Sequence, residues 1–263
     1  MKNHFNKYHY YTIAVQSPAA DVDTFFKIYK ENKGKLPSTL KEDFCGTFLI
    51  CKEWVKRNPK NRAFGLDLDP APLKYGLKLA DRVLTSEQRE RLSIINGDVL
   101  RVKTLPVDLT VAVNFSYYIF KTRKQLHAYF TSAYKSLDKN GILLIDSFGG
   151  SECQHPNKEV TRFKRQKFDY IWEQKSFDPV TNGAKFEIHF KVKGHGLKKR
   201  CFTYDWRMWT IPEIREIMLE AGFKKTLVYW EGTTRAGGGD GKYKVSEKGE
   251  DCAAWIAYIC GIK

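Results

Sequence analysis

The sequence Leu40-Lys41-Glu42-Asp43-Phe44-Cys45-Gly46-Thr47 decides the fold. It reads as a short core strand that ends on two carboxylates and bends through small residues into a helix. Further along, the run Ala63-Phe64-Gly65-Leu66-Asp67-Leu68-Asp69-Pro70 predicts a second strand that also ends on carboxylates. Strand, acid, tight turn, helix, strand, acid is the order of a nucleotide-binding half of an open α/β sheet. We therefore predict that this pair of strands forms a pocket for an adenosine-containing cofactor.

The composition is that of a folded protein. Of the 263 residues, 42% are hydrophobic and 14% are aromatic, which supports a packed core and argues against disorder. The length fits one large domain, or one domain with an insertion. The six cysteines show no C-x-x-C spacing, so we predict free thiols in a reducing compartment and no metal site.

Neither targeting nor membrane segments are visible. The N-terminus lacks the apolar run of a signal peptide, and the longest apolar run, residues 253–262, is too short to span a bilayer. We expect a soluble, cytoplasmic protein with no membrane partner.

The net charge is +15, from 45 Lys and Arg against 30 Asp and Glu. Such a charge balance is typical of a polyanion-binding surface, and it is equally typical of proteins from a lysine-rich proteome. Nucleic acid is therefore a candidate partner that charge alone does not establish, and the sequence does not give the oligomeric state.

Alternating helical and strand patterns predict a doubly wound, Rossmann-like parallel sheet over residues 38–150. Helices are predicted at residues 48–57, at residues 122–137 and after Asp69-Pro70, which is a good N-cap and first-turn pair. Strands are predicted at residues 62–67, 92–96, 107–114 and 142–146.

The pattern changes in residues 151–209, where period-two stretches replace helices. The turn Asp178-Pro179-Val180-Thr181-Asn182-Gly183 joins two of them, which predicts a small antiparallel β insertion that caps the substrate. Residues 210–263 contribute a helix and two strands that complete the core. The glycine-rich stretch 235–251 between those strands is interpreted as a mobile connection.

The N-terminal segment, residues 1–37, contains a predicted helix that has two compatible interpretations. In one, it covers an edge of the sheet. In the other, it is a lid whose Tyr10, Tyr11 and Gln16 close over the active site.

Acids end three successive strands: Glu42 with Asp43, then Asp67, then Asp98. In open α/β sheets these strand ends face the ligand crevice. Asp67 could accept both hydroxyls of a ribose, and Asp98, beside the Val99 backbone, could accept an adenine amino proton. Any one acid alone could merely cap a helix or form a turn, but three on successive strand ends weaken that alternative.

The first turn argues against a dinucleotide. A dinucleotide site requires G-x-G-x-x-G, whereas Phe44-Cys45-Gly46-Thr47-Phe48 has one glycine and lies beside acids that repel phosphate. Gly46 still lets the backbone approach a ligand closely, because it has no Cβ. The acids suit a cofactor end that carries an amino group and a sulfonium, which indicates S-adenosylmethionine.

The order of Glu42 to Thr47, Gly65-Leu66-Asp67, Gly97-Asp98-Val99 and residues 109–115 resembles that of class I S-adenosylmethionine-dependent methyltransferases. The resemblance covers residues 38–148 and implies a seven-stranded sheet with a reversed C-terminal hairpin. Phe44 and Phe48 depart from it, since glycines usually occupy these positions. It also implies the cofactor-binding residues: Glu42 or Asp43 with Cys45, Gly46 and Thr47 at the methionine end, Asp67 with Leu68 at the ribose, Asp98 and Val99 at the adenine, and Asn114 and Phe115 at the methyl group.

Direct methyl transfer is an in-line displacement in which positioning supplies much of the acceleration. A base is needed only if the acceptor must lose a proton, so no evident triad is expected. The candidate catalytic residues follow the fourth strand: Asn114, Tyr117 and Tyr118.

The candidate substrate residues are Tyr11, Gln16, Trp206 and Arg207. Arg207 could clamp a substrate carboxylate, and core packing is the alternative for the aromatic side chains of the insertion. No Asn/Asp-Pro-Pro-aromatic sequence follows the fourth strand, which argues against a nucleobase amino group as acceptor.

Three functions remain open. The chain could be a methyltransferase for a small molecule, a methyltransferase for RNA or another polyanion-associated target, or an S-adenosylmethionine-binding protein without catalysis. We favour the first, because the predicted insertion and N-terminal segment would cap an acceptor pocket.

Overall fold

The computed structural model describes residues 4–235 and 237–263. Its strands are β1 (Thr39–Asp43), β2 (Arg62–Asp67), β3 (Leu92–Asn96), β4 (Val107–Ala112), β5 (Leu137–Gly149), β6 (Asn157–Phe163), β7 (Phe168–Asp178), β8 (Gly183–Val192), β9 (Gly196–Arg207), β10 (Lys225–Thr233), β11 (Gly239–Val245) and β12 (Trp255–Ile262). Its helices are α1 (Lys7–Ala14), α2 (Pro18–Lys33), α3 (Leu49–Arg57), α4 (Pro70–Val83), α5 (Ser86–Glu90), α6 (Arg123–Ser136) and α7 (Ile211–Glu220).

An eight-stranded sheet in the order β11-β10-β12-β5-β4-β1-β2-β3 forms the centre of the molecule. The five strands from β5 to β3 are parallel. Strand β12 pairs antiparallel with β5, and β10 pairs antiparallel with β12. A parallel sheet that ends in a reversed hairpin confirms the predicted fold class.

Side-chain caps fix where the helices begin. The Asp69 carboxylate accepts a hydrogen bond from the Ala71 N–H at 2.9 Å, and Pro70 occupies the first turn of α4. Thr122 and Thr210 form capping boxes at the starts of α6 and α7. Such caps satisfy N–H groups that a helix leaves without intrahelical partners.

Helices cover both faces of the sheet. On one face, Phe25 of α2, Trp54 of α3 and Leu73 of α4 belong to one buried cluster. On the other, Phe130 of α6 and Ile214 of α7 belong to a second. Burial on both faces explains why residues 142–145 of β5, all fully buried, form an apolar run rather than an alternating pattern.

Strands β6 to β9 form a separate antiparallel sheet in chain order, inserted between β5 and α7. The rings of Phe186 and Trp206 join the buried cluster on the α6 and α7 face of the central sheet. At its far end, Phe168 and Phe190 contact Tyr10 of α1, with ring centroids 5.0 Å and 5.8 Å apart. The predicted small antiparallel insertion is therefore present.

The central sheet has one strand more than predicted. Strand β11 lies within the stretch interpreted as a mobile connection, and it pairs antiparallel with β10 from Tyr229↔Val245 to Thr233↔Gly239. Its sequence, Gly-Asp-Gly-Lys-Tyr-Lys-Val, is mostly exposed at the edge of the sheet. Edge strands tolerate such polar sequences, so the apolar alternation that marks a strand is missing. The loop interpretation was wrong for these residues.

No helix in the described part of the chain is long and apolar enough to cross a membrane.

Candidate functional site

The strand order reverses between β1 and β4, which are neighbours in the sheet although two strands separate them in sequence. At such a switch point the following connections lead to opposite faces, which leaves a crevice at the carboxyl ends of the strands. The turn after β1 and the turn after β4 both lie at this crevice.

Three positive φ angles bend the turn after β1: 57° at Phe44, 51° at Gly46 and 45° at Phe48. The two phenylalanines thus adopt a backbone conformation that favours glycine, at a cost of about 1–3 kcal/mol each. Phe48 is fully buried, and a Cβ added to Gly76 would come within 2.4 Å of its ring. Ring packing at Phe48 therefore offsets the backbone strain at this position.

Gly46 faces open space. A Cβ built on it would meet no atom within 4 Å. Beside it, the buried Thr47 hydroxyl has no hydrogen-bond partner among the described residues. Cys45 is buried, and burial raises the pKa of its thiol well above the ordinary value, so it is neutral. An open backbone next to an unpaired hydroxyl is suited to the polar part of a ligand.

The Asp67 carboxylate holds this turn. One oxygen accepts a hydrogen bond from the Gly46 N–H at 2.7 Å, and the other accepts one from the Asp69 N–H at 2.9 Å. The adjacent Leu68 side chain is 71% exposed, which leaves an apolar surface next to the carboxylate. Asp98 lies after the neighbouring strand β3 and accepts a hydrogen bond from the Leu100 N–H at 2.9 Å. The predicted acids are thus brought to one edge of the sheet.

Val99, predicted at the adenine, is 5% exposed and packs in the core, so only its backbone could contact a ligand.

Glu42 and Asp43 point to opposite faces of β1 and have different environments. Asp43 lies 2.7 Å from the buried Lys41 ammonium, and it accepts a hydrogen bond from the Tyr129 hydroxyl at 3.2 Å. Glu42 accepts a hydrogen bond from the Cys51 N–H at 3.0 Å and forms no ion pair among the described residues. Asp43 is therefore neutralised within the core, whereas the charge of Glu42 is not matched by a contacting cation.

Several carboxyls near the crevice have raised pKa values, among them the buried Glu42 and Asp146 and the half-buried Asp21. Burial raises the pKa of Glu42 to about 7, that of Asp146 to about 7 and that of Asp21 to about 6. The negative charge of Asp21 adds to the shifts of both Glu42 and Asp146. This acidic group disfavours an anion and favours a cation. Sequence analysis gave Asp21 no role at this site, because its distance along the chain from Glu42 and Asp146 gives no sign of this proximity.

Asp146 also shapes the turn after β4. Its two oxygens accept hydrogen bonds from the Asn114 N–H at 2.7 Å and the Phe115 N–H at 2.9 Å. Both of these residues have a φ of 57°. Two charge-assisted hydrogen bonds, both accepted by this one carboxylate, thus stabilise two consecutive residues in the left-handed conformation. The turn holds Asn114 and Phe115, both half-buried, at the crevice.

Tyr117 and Tyr118, unlike Asn114 and Phe115, are not exposed at the crevice. A 3-10 turn over Ser116–Ile119 directs both side chains into the core, where they are fully buried. The Tyr118 hydroxyl lies 2.7 Å from the Ser147 Oγ. Burial raises the pKa of both phenols, so they stay protonated at neutral pH. Of the three catalytic candidates, only Asn114 reaches the surface of the crevice.

Helix α1 lies between the insertion and helix α4 of the central sheet. Its Tyr8 ring lies 5.7 Å from Tyr75 of α4 and 5.9 Å from Phe202 of β9. Burial raises the pKa of Tyr8, and the nearby charges of Asp69 and Asp67 raise it further. No sequence pattern singles out Tyr8, because its proximity to these acids depends on tertiary packing.

The two predicted substrate residues of this segment lie close by. Tyr11 packs on Phe202 with ring centroids 4.7 Å apart, and burial raises its pKa to about 12. The amide oxygen of Gln16 is buried without a hydrogen-bond partner among the described residues. The lid interpretation of the N-terminal segment stays a prediction.

Trp206 and Arg207, the other predicted substrate residues, lie on opposite sides of β9. Trp206 is 2% exposed and packs in the core. The Arg207 guanidinium donates a hydrogen bond to Glu213 at 3.0 Å and stacks on the Trp209 ring at 3.7 Å. Because it is engaged in these contacts, this arginine is not placed as a substrate clamp.

A cavity of about 340 Å³ extends from Phe115 between the central sheet, the insertion and the β10–β11 hairpin. A second cavity of about 330 Å³ shares the wall formed by Phe148, Gly149, Cys153 and Trp255. Because Phe115 belongs to the turn after β4, the first cavity begins at that turn. Its remaining wall includes Trp172, Gln174 and Glu231. Sequence analysis did not bring these residues together as a site, because β7 and β10 lie far apart in the chain.

No family model matches the chain, and no curated protein matches it in sequence. Solved structures do match. A S-adenosylmethionine-dependent methyltransferase from Clostridium acetobutylicum is 15% identical with a TM-score of 0.69, over 96% of this chain and 96% of that chain. An amino pentose methyltransferase of calicheamicin biosynthesis from Micromonospora echinaspora is 14% identical with a TM-score of 0.66, over 98% of each chain. A sugar N-methyltransferase from Streptoalloteichus is 16% identical with a TM-score of 0.62, over 95% of this chain and 90% of that one.

These likenesses extend over nearly the whole chain, including the insertion and the C-terminal strands. The protein therefore has the class I fold of S-adenosylmethionine-dependent methyltransferases.

Proposed function

We propose that this protein is a S-adenosylmethionine-dependent methyltransferase that acts on a small-molecule acceptor. The observation that carries the proposal is the open turn at Gly46, which lies at the switch point of this fold beside unmatched buried carboxyls. S-adenosylmethionine is itself cationic at its sulfonium and its amino group, so an acidic crevice suits it better than it suits a phosphate-bearing cofactor.

The residues at the crevice fit this cofactor. Each Asp67 oxygen uses one lone pair within the protein and keeps another for a ribose hydroxyl. Leu68 offers an apolar surface beside it, and Asp98 lies on the next strand for the adenine. Gly46 and Thr47 would hold the methionine end, where the backbone is open and the Thr47 hydroxyl needs a partner.

When bound, S-adenosylmethionine supplies an electrophilic methyl group on a sulfonium. The protein's part is to orient the two reactants and to exclude water. The turn that Asp146 holds presents Asn114 and Phe115 between the crevice and the cavity. Helix α1 covers the crevice with Tyr8 and Tyr11. Orientation of this kind contributes on the order of 7–11 kcal/mol to a displacement reaction.

The size of the cavity supports a small acceptor. Its volume of about 340 Å³ is at the low end of the range for ligand pockets. The structural neighbours include an amino pentose methyltransferase and a sugar N-methyltransferase, whose named acceptors are also small. Walls from the insertion and from the β10–β11 hairpin limit the space in which a larger acceptor could enter.

The test is calorimetry with S-adenosylmethionine, followed by a radiolabelled-methyl screen of metabolite and RNA fractions. The proposal expects micromolar cofactor binding and label in a low-molecular-weight product. Binding without transfer to any fraction would instead identify a non-catalytic cofactor-binding protein. Absence of binding would overturn the cofactor assignment itself.

One observation favours an RNA-directed methyltransferase as the second candidate. A surface depression on the insertion is lined by five basic side chains and one acid: Arg162, Lys164, Lys167, Lys191, Lys193 and Asp169. Such a basic patch attracts phosphate backbones, and its affinity should fall steeply with salt. Label found in RNA, with transfer lost in variants of these lysines, would select this candidate over the first.

A further inference from the structure

The cavity beyond Phe115 has a charge opposite to that of the protein. Lys and Arg outnumber Asp and Glu by 45 to 30 in the chain. Among the described residues that line this cavity, by contrast, there are three glutamates and no Lys, Arg or His: Glu152, Glu159 and Glu231. None of the three forms an ion pair with a described residue. The cavity is thus an acidic space within a basic protein.

A buried amide adds a neutral acceptor to this space. Gln174 is 4% exposed and lines the cavity. Its amide nitrogen donates a hydrogen bond to the Cys153 carbonyl at 2.7 Å, which fixes the orientation of the side chain. No described residue donates a hydrogen bond to its Oε1. This oxygen therefore remains available to accept a hydrogen bond from a ligand in the cavity.

Aromatic rings form the remaining walls. Phe115 and Phe148 lie with ring centroids 4.4 Å apart at the end nearest the crevice, and Trp172 and Trp255 line the sides. Faces of aromatic rings attract cations, and tryptophan does so most strongly. Carboxylates, an amide oxygen and aromatic rings are all electron-rich groups. Together they match a ligand that is positively charged and carries N–H groups.

We propose that this cavity is the acceptor site and that it selects a small amine in its protonated form, with Glu231 as the principal counter-charge. The proposal rests on the proposed methyltransferase function and adds the substrate class. Glu231 is the best placed of the three acids, because it is half-buried whereas Glu152 and Glu159 are exposed. Its side chain lies over Gly239, where an added Cβ would come within 2.4 Å of Cδ, and it accepts a hydrogen bond from the Gly241 N–H at 3.0 Å.

A protonated amine must lose a proton before its nitrogen can attack. Burial and the nearby Asp240 raise the pKa of Glu231 above the ordinary value. The Glu231 carboxylate can therefore take this proton: the N–H bond breaks, its electron pair stays on nitrogen, and an O–H bond forms on the carboxyl. The same side chain would thus bind the cation and release the nucleophile.

Two probes of nearly identical shape test the charge preference without requiring turnover. Choline is cationic, and 3,3-dimethylbutan-1-ol replaces its nitrogen by carbon. Quenching of Trp172 and Trp255 fluorescence in the full chain, saturated with S-adenosylhomocysteine, should give choline at least about tenfold higher affinity, or about 1.4 kcal/mol. Glu231→Gln should reduce this preference to about twofold and leave the affinity for the neutral probe unchanged. The control, Glu220→Gln on the exposed face of α7, should keep the full preference.

A turnover assay then separates this inference from the proposed function. Radiolabelled methyl transfer should favour a panel of primary and secondary amines over the matching alcohols. Glu231→Gln should raise the KM for amines and also lower kcat, because it removes both the counter-charge and the group that takes the proton. Equal affinity for the two probes, or methylation of the alcohols with no effect of Glu231→Gln, would overturn the amine proposal while leaving a methyltransferase. Failure of the wild-type protein to bind S-adenosylmethionine would instead overturn the proposed function.

Discussion

The Asp67 carboxylate accepts a hydrogen bond from the Gly46 N–H at 2.7 Å, which ties the end of β2 to the open turn after β1. A carboxylate has about four acceptor positions. Two of them are used within the protein, by Gly46 and Asp69. Asp67 can therefore hold the turn and bind a ligand at once.

Asp67→Ala should weaken S-adenosylmethionine binding by at least about 100-fold. Two hydrogen bonds from ribose hydroxyls to a carboxylate would be lost, each contributing roughly 1.5–3 kcal/mol. Isothermal calorimetry measures the change, and circular dichroism checks that the fold is retained. Asp69→Ala is the control, since it removes the exposed cap of α4 and should cost about 1 kcal/mol of stability with little change in affinity. Wild-type affinity in the Asp67 variant would refute the ribose assignment.

Gly46→Ala should lower the affinity for the cofactor. The loss of affinity should be larger than the loss in the free energy of unfolding that the same change causes. The added methyl meets no protein atom within 4 Å, so it would project into the space that the ligand needs. Gly34→Ala is a matched control, because Gly34 also has a positive φ and an open environment but ends α2. Both variants should lose about 1 kcal/mol in urea unfolding. Equal cofactor affinities in the two variants would show that the turn does not contact the ligand.

Cofactor affinity should rise with pH between about 5.5 and 8. Asp21, Glu42 and Asp146 have pKa values of about 6, 7 and 7, so each gains its negative charge only as the pH passes through this window. Only the ionised forms attract a sulfonium. S-adenosylmethionine should therefore gain roughly tenfold more affinity over this range than S-adenosylhomocysteine, which lacks that charge.

Calorimetry at a series of pH values with both compounds measures this difference. Asp21→Asn should remove part of the pH dependence, because it removes one charge and lowers the pKa of the other two carboxyls. Parallel pH profiles for the two compounds would argue against an electrostatic role of this acidic group.

Phe48→Gly should destabilise the protein, although it places glycine at a position with a φ of 45°. Glycine relieves roughly 1–3 kcal/mol of backbone strain. Removal of a fully buried phenylalanine costs roughly 3–5 kcal/mol. The free energy of unfolding in urea should thus fall by about 2 kcal/mol. A gain in stability would mean that the strain exceeds the packing of the ring.

The parallel core was predictable because strand and helical patterns alternate along residues 38–150, and because local caps mark helix starts. Asp69-Pro70 is an example, where the local cap and the observed start of α4 coincide. Strand β11 was not predictable in this way, because its exposed Asp240, Lys242 and Lys244 hide the period of a strand. Its formation depends on pairing with β10, which no local pattern shows.

The site was predictable where residues follow strands directly, as Asp67 and Asp98 do. It was not predictable where tertiary packing decides the direction of a side chain. The aromatic run Phe115-Ser116-Tyr117-Tyr118 gave no sign that Phe115 would border a cavity while both tyrosines turned into the core. Arg207 likewise looked free in the sequence, since its ion pair with Glu213 forms only when β9 meets α7.

The two parts of the site come from different stretches of the chain. The crevice is built by residues up to Phe115 together with Asp146, whereas the cavity walls, apart from Phe115 and Phe148, come from residues 149–256. Changes in that later stretch can alter which compound is modified and leave donor binding intact. If the proposed function holds, acceptor choice can therefore be engineered separately from donor binding.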